Sequence, residues 1–187
     1  VDILESGYVR FYELLGFIPK TVSNFTKNVE MIFNKKRDLL IVVGGGSLPP
    51  SMYDRPHEDE LQPNRDRMEE QVIHYCVAHG IPIIATCRGM QYINVMFGGK
   101  LWYHPKLPVN RTRGVDHQVW LVKEQRNIWV NNYHSDCIYE EGLASCFEPL
   151  AIDRENHVVE AYGSDEMKIL ALQWHPERRF ETANAYE

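Results

Sequence analysis

The segment Ile81-Pro82-Ile83-Ile84-Ala85-Thr86-Cys87-Arg88-Gly89-Met90-Gln91 constrains the fold more than any other part of the chain. An apolar, β-branched run ends in a cysteine. Small residues stand two positions before it (Ala85) and two after it (Gly89), and helix formers follow. A strand that turns abruptly into a helix is written this way. Its turn has no room for large flanking side chains, and the cysteine comes to lie over the helix N-terminus. Exposed backbone N–H groups and the helix dipole favour a thiolate there. A cysteine after a strand is by itself more often a packed apolar residue; the small-x-Cys-x-Gly setting reverses that reading. Much further along, Gln173-Trp174-His175-Pro176-Glu177 closes a second apolar run. A base and a carboxylate two residues apart at a strand end can face one site, and the proline limits how they are presented. Cys87, His175 and Glu177 are therefore the candidate nucleophile, base and orienting carboxylate of a hydrolase.

The rest of the chain supplies a scaffold for such a turn. Apolar residues at helical spacing (Leu4, Tyr8, Phe11, Tyr12, Leu15) predict a helix from about Asp2 to Leu15, stopped by Gly16. Phe17 to Val22 reads as a short strand and Asn28 to Phe33 as a short helix. Asp38 to Val43 has the uninterrupted apolar character of a parallel strand buried on both faces. It runs into Gly44-Gly45-Gly46, and the polar stretch His57 to Asn64 reads as a surface loop. A helix from Pro63 or Asn64 to Gly80 precedes the Cys87 strand, and another runs from Arg88 to about Phe97. Gln118 to Val122, Asn127 to Val130, Phe147 to Ile152, His157 to Ala161 and Lys168 to Trp174 all read as strands. Strands alternating with helices, then strands alone, predict one domain over residues 1–187. It is an α/β chain folded as a three-layer α/β/α sandwich, with extra β-strands beside the active edge. Ligands of such sheets bind at the carboxyl ends of the strands, where Cys87, the glycine run and His175 all fall. The chain opens directly in a helix-like segment and stops soon after the His-Pro-Glu segment, so a first strand and a last helix are expected to be missing.

Bulk properties narrow the partners. A formal net charge of −6 argues against nucleic acid, and no apolar run approaches a bilayer span. The cysteines at 76, 87, 137 and 146 show no metal-type pairing; free thiols in a reducing, cytoplasmic setting are the simplest reading. No ligand cluster calls for a metal or an organic cofactor.

Acyl transfer to a cysteine makes a tetrahedral oxyanion, which needs convergent N–H donors worth about 3 kcal/mol each. The amide of Arg88, directly after the nucleophile, is one candidate. Gly45 in the glycine run is the other, with an ordinary turn after a strand an equal reading of those glycines.

At this point the sequence resembles a known family. Ala85-Thr86-Cys87-Arg88-Gly89-Met90-Gln91 is similar to the G-x-C-R-G-x-Q elbow of class I glutamine amidotransferase-like proteins. Gln173 to Glu177 resembles their His-x-Glu segment, and Val42 to Tyr53 their glycine-rich oxyanion strand. The Cys-Arg-Gly sequence points to the γ-glutamyl hydrolase branch. Arg65 to Glu69, Phe97 to Leu101, Asp116 to Val119, Val130 to His134 and Val159 to Ala161 extend the likeness over nearly the whole chain. Ala85-Thr86 stands where Gly-Ile or Gly-Val is common, a mild steric departure.

The resemblance implies a flavodoxin-like amidotransferase fold with a mostly parallel central sheet. It also implies cleavage of a γ-glutamyl amide through a cysteine thioester, releasing glutamate and an amine. Gln91 is then expected to hold the glutamyl group, and Asn132, Tyr133 and His134 to line the cleft. A strand-end packing role for Tyr133 and His134 remains open, as does a structural role for His117. Arg65 and Asp66 are expected to cap and anchor their helix. The substrate would be a small molecule, and a homodimer is compatible with the reading. Two alternatives stand beside it: a glutaminase chain feeding ammonia to a synthase partner, and an inactive binding module on the same fold. Lys106, Arg111 and Arg113 hint at an anionic leaving group and equally suit solvated surface charge.

Overall fold

The computed structural model describes residues 4–34, 37–53, 61–103 and 114–178. Helix α1 spans Ser6–Leu14 and buries Tyr8 and Tyr12. Strand β1 is Leu40–Val42, helix α2 is Pro63–His79, strand β2 is Ile83–Thr86 and helix α3 is Arg88–Met96. Pro63 starts α2, where its missing N–H costs nothing, and Gly80 ends it in the left-handed conformation at φ 64°. The strands that follow are β3 (Trp102–Tyr103), β4 (His117–Leu121), β5 (Arg126–Val130), β6 (Asp136–Cys137), β7 (Glu148–Asp153), β8 (Val158–Ser164) and β9 (Ile169–Leu172).

Seven strands form one mixed sheet in the order β1-β2-β9-β8-β7-β4-β5, and β3 and β6 make a separate pair. β1, β2 and β9 are parallel, and the remaining pairings are antiparallel. The parallel strands carry the site, and the antiparallel ones are the extra strands expected beside it. Helices α2 and α3 pack on the sheet face that presents Ile83, Ala85, Ile169 and Ala171, closing the main core with Val72, Ile73, Met90 and Ile93. A second cluster forms where Val119, Ile128 and Val130 of the extension meet Leu172 and Trp174. The far edge of the sheet therefore folds back over the end of β9.

Most elements stand where the sequence placed them. Residues 17–22 do not form the expected strand: Ile18 is 86% exposed, and among the described residues β1 pairs with β2 alone. An alternating pattern becomes a strand only against a partner. The helix expected over 28–33 is a single 3₁₀ turn, Val29–Met31. The pair β3 and β6 has no counterpart among the expected elements, because two-residue strands leave no periodicity to read. Of the expected 57–64 loop, residues 57–60 lie outside the described residues, Leu61 and Gln62 are irregular and Pro63 and Asn64 open α2; Lys106, Arg111 and Arg113 also lie outside the described residues.

Candidate active site

Strand register explains why distant residues meet. Thr86 at the end of β2 lies opposite Leu172 at the end of β9, and the Cys87 N–H continues the ladder to the Leu172 carbonyl at 2.7 Å. Cys87 is therefore one residue beyond that register, and His175 three residues beyond it on the neighbouring strand. Cys87 has φ 52°, a conformation that non-glycine residues rarely adopt, and it stands at the N-terminus of α3. The elbow holds because its neighbours are small. A Cβ on Gly89 would lie 2.5 Å from the Val42 carbonyl oxygen, so only glycine lets the start of α3 sit on β1.

His175 and Glu177 are buried, and His175 Nδ1 is 2.6 Å from Glu177 Oε1. Burial alone would lower the imidazole pKa. Hydrogen bonding to the Cys87 and Glu177 side chains, together with their charges, outweighs burial and raises it to about 9. The structure thus brings the three residues of the sequence-derived set into one buried group beside the end of β2. The glycine turn lies against the same group: a Cβ on Gly44 would fall 2.8 Å from His175 Cε1 and 3.6 Å from Cys87 Cβ.

Beneath the turn is a buried ion network. Arg65 donates from Nη2 to the Val43 carbonyl (2.5 Å), from Nη1 to the Gly44 carbonyl (2.9 Å) and from Nε to Glu69 (2.6 Å). Arg88, 1% exposed, donates to Glu69 at 2.5 Å and to Asp66. Burial pushes the Asp66 carboxyl up, an effect opposed by Arg88. Asp66 makes no side-chain cap on α2; it and Arg65 anchor that helix to the elbow and to the glycine turn. The Arg88 side chain is thereby drawn toward α2. Its own N–H, as the first of the helix, has no intrahelical acceptor. Gly45 packs against the Arg65 guanidinium and Arg88 Cδ.

Gln91 is 4% exposed, and its Nε2 donates to the Asp136 carbonyl (3.1 Å) and to Gln173 Oε1 (3.2 Å). These contacts brace the segment that leads into β6. Asn132 is buried, its carbonyl accepting the Gly114 N–H at 2.6 Å. Tyr133 sets its ring edge-on to His175 with centroids 5.7 Å apart, and the Arg178 guanidinium covers it at 4.2 Å. His134 Nδ1 is 3.0 Å from the Asp136 carbonyl, while Nε2 is 3.7 Å from the fully buried Glu160. His117 approaches the same Glu160 oxygen at 3.3 Å.

Two residues at the site carry no sequence signal of their role. Asn131 clamps the backbone of His175: its Oδ1 accepts the His175 N–H (2.9 Å) and its Nδ2 donates to the His175 carbonyl (2.7 Å). Tyr8 of α1 accepts the Gly44 N–H on its hydroxyl at 2.8 Å. Asn131 sits within the Val130 to His134 motif, but an asparagine after a strand gives no sign of what it will bind. Tyr8 reads as one more apolar position on its helix.

A family model described as peptidase C26 matches residues 2–177. The chain belongs to the peptidase C26 family. The glutamine amidotransferase-like protein YvdE of Lactococcus lactis is 29% identical over 164 residues, which is 78% of this chain and 68% of that protein. The γ-glutamyl-γ-aminobutyrate hydrolase PuuD of Escherichia coli is 26% identical over 175 residues, 80% of this chain and 67% of the enzyme. The crystal structure of a Thermoplasma acidophilum protein named for a GMP synthase component superposes with a TM-score of 0.68. It is 21% identical and covers 91% of this chain and 77% of its own, a likeness of fold alone. These relatives support the γ-glutamyl hydrolase branch, and the sheet and helices have the class I amidotransferase arrangement. Among the described residues no helix is long and apolar enough to cross a membrane. No group of three or more His, Cys, Asp or Glu among them is placed to hold a metal ion.

Proposed function

We propose that this protein hydrolyses the γ-glutamyl amide bond of a small molecule through a thioester on Cys87. The observation that carries this reading is the buried His175 imidazole, 2.6 Å from Glu177 Oε1 and packed with Cys87 against the Gly44 turn, at the ends of adjacent parallel strands. Cys87, as thiolate, attacks the γ-carbonyl carbon, and the carbonyl electron pair moves onto oxygen. The amides of Gly45 and Arg88 hold that oxyanion. The protonated His175 gives its proton to the departing amine as the C–N bond breaks, leaving a γ-glutamyl thioester. A water molecule then loses its proton to His175 and attacks the thioester, releasing glutamate and restoring the thiolate. Glu177 fixes the tautomer and stabilises the imidazolium. Asn132, Tyr133 and His134 form the wall nearest the base, and Gln91 supports that wall from below. The relative named γ-glutamyl-γ-aminobutyrate hydrolase supports an amine-bearing leaving group.

The test is glutamate release from a panel of γ-glutamyl amides. Wild-type protein is expected to release glutamate, and Cys87→Ala to release none while keeping its circular dichroism spectrum. A Cys87→Ala variant that retains near wild-type turnover rejects the mechanism. The sequence relatives named as glutamine amidotransferases or as similar to them favour a second reading, a glutaminase that supplies ammonia to a synthase. Ammonia release from glutamine that rises only when a partner chain is added supports that reading instead.

A further inference from the structure

We propose that Tyr8 is a positioning residue of the catalytic machinery, its hydroxyl tying the glycine turn after β1 to the His175–Glu177 pair. The inference rests on the reading of Cys87, His175 and Glu177 as a working set. Helix α1 runs directly against the turn that carries the base. A Cβ on Gly7 would lie 3.1 Å from the Glu177 carbonyl oxygen, so α1 touches that turn through a residue without a side chain. The next residue, Tyr8, is 5% exposed and reaches inward. Its hydroxyl oxygen accepts the Gly44 N–H at 2.8 Å and lies 3.5 Å from His175 Nδ1. Burial and the Glu177 charge push its pKa far above that of an ordinary tyrosine. The hydroxyl therefore stays neutral and keeps both a proton to give and lone pairs to accept.

The glycine turn is gripped from two sides. Arg65 holds the Val43 and Gly44 carbonyls, and Tyr8 holds the Gly44 N–H. With that N–H engaged, the donor left for an oxyanion is the next one, Gly45. Tyr8 also connects this donor strand to the base by something other than the sheet. β1 and β9 are not neighbours; β2 separates them. One hydroxyl thus sets the distance between oxyanion donor and proton donor, two groups that must act on opposite parts of one scissile bond.

Tyr8→Phe removes only the hydroxyl and keeps the ring. Tyr12→Phe removes a hydroxyl from a tyrosine equally buried in the same helix and serves as the packing control. Three quantities are read: thermal stability, kcat and KM with γ-glutamyl-p-nitroanilide, and the pH dependence of Cys87 alkylation by iodoacetamide. Tyr12→Phe is expected to keep kcat within about twofold and an unchanged alkylation profile. Tyr8→Phe is expected to melt within a few degrees of wild type. Its kcat should fall about tenfold with KM within about twofold, the scale of one lost hydrogen bond. Its alkylation midpoint should move by about half a pH unit or more, because a dipole beside the imidazole has been removed. A Tyr8→Phe variant with an unmoved alkylation midpoint overturns the proposal. If wild-type protein does not hydrolyse the anilide, the alkylation midpoint alone decides the role of Tyr8, and the loss falls on the γ-glutamyl reading.

Discussion

Replacing Glu177 by Gln should return His175 toward an ordinary histidine, and the size of the effect follows from the site. The His175 pKa of about 9 stands against 6.5 for an ordinary histidine. At about 1.4 kcal/mol per pH unit, that difference is about 3 kcal/mol of preference for the imidazolium. It survives against burial, which works in the opposite direction, so the favourable contributions of Cys87 and Glu177 together exceed it. Glu177→Gln keeps a side chain of similar shape but removes the charge. Removing that charge moves the His175 midpoint down toward that of an ordinary histidine and lowers kcat/KM about tenfold at neutral pH. The sign for stability follows from the same shift. The folded-state pKa lies above the unfolded one, so the protonated imidazole stabilises the fold fully below about pH 6.5. That contribution disappears as pH rises through about 9. Titration of the His175 imidazole by ¹⁵N NMR measures the midpoint directly, and urea denaturation at pH 6 and pH 9.5 measures the linked stability. A midpoint in Glu177→Gln that stays within about 0.3 of wild type refutes the assignment of cause. So does a loss of activity equal to that of His175→Ala. The latter removes proton transfer itself and should cost about a thousandfold.

Three further outcomes test the supports of the site. Arg88→Met should destabilise the protein by about 3–5 kcal/mol in urea denaturation, because Asp66 and Glu69 lose their shared buried partner. A loss below about 1 kcal/mol contradicts the network. Asn131→Ala removes both hydrogen bonds to the His175 backbone, and is expected to cost about 2 kcal/mol in stability and at least tenfold in kcat. Unchanged kcat would show that the base holds its place without the clamp. Gly44→Ala places a methyl group 2.8 Å from His175 Cε1, and should cut kcat by at least a hundredfold with only a modest drop in melting temperature. A variant that keeps more than half of wild-type kcat would mean that the turn yields freely.

The sequence by itself determined the elements whose chemistry is local. The elbow at Cys87 is legible because a sharp turn excludes Cβ atoms at fixed offsets, and the observed φ of 52° and the Gly89 contact obey that requirement. Helix α2 is legible because proline, periodicity and glycine mark its start, face and end along one short segment. The pairing of His175 with Glu177 is open to the same kind of reading, since two residues at a strand end share an environment set by backbone geometry. Tertiary structure alone decided what those residues lean on. That Arg88 turns back to Asp66 and Glu69 depends on α2 lying beside the elbow. That Asn131 reaches His175 depends on the sheet edge folding over β9, and that Tyr8 meets Gly44 depends on α1 packing against the 176–178 turn. An asparagine, a tyrosine or an arginine carries its donors and acceptors wherever it stands. Which partners they find is fixed by the packing of whole elements, a property no local spacing encodes.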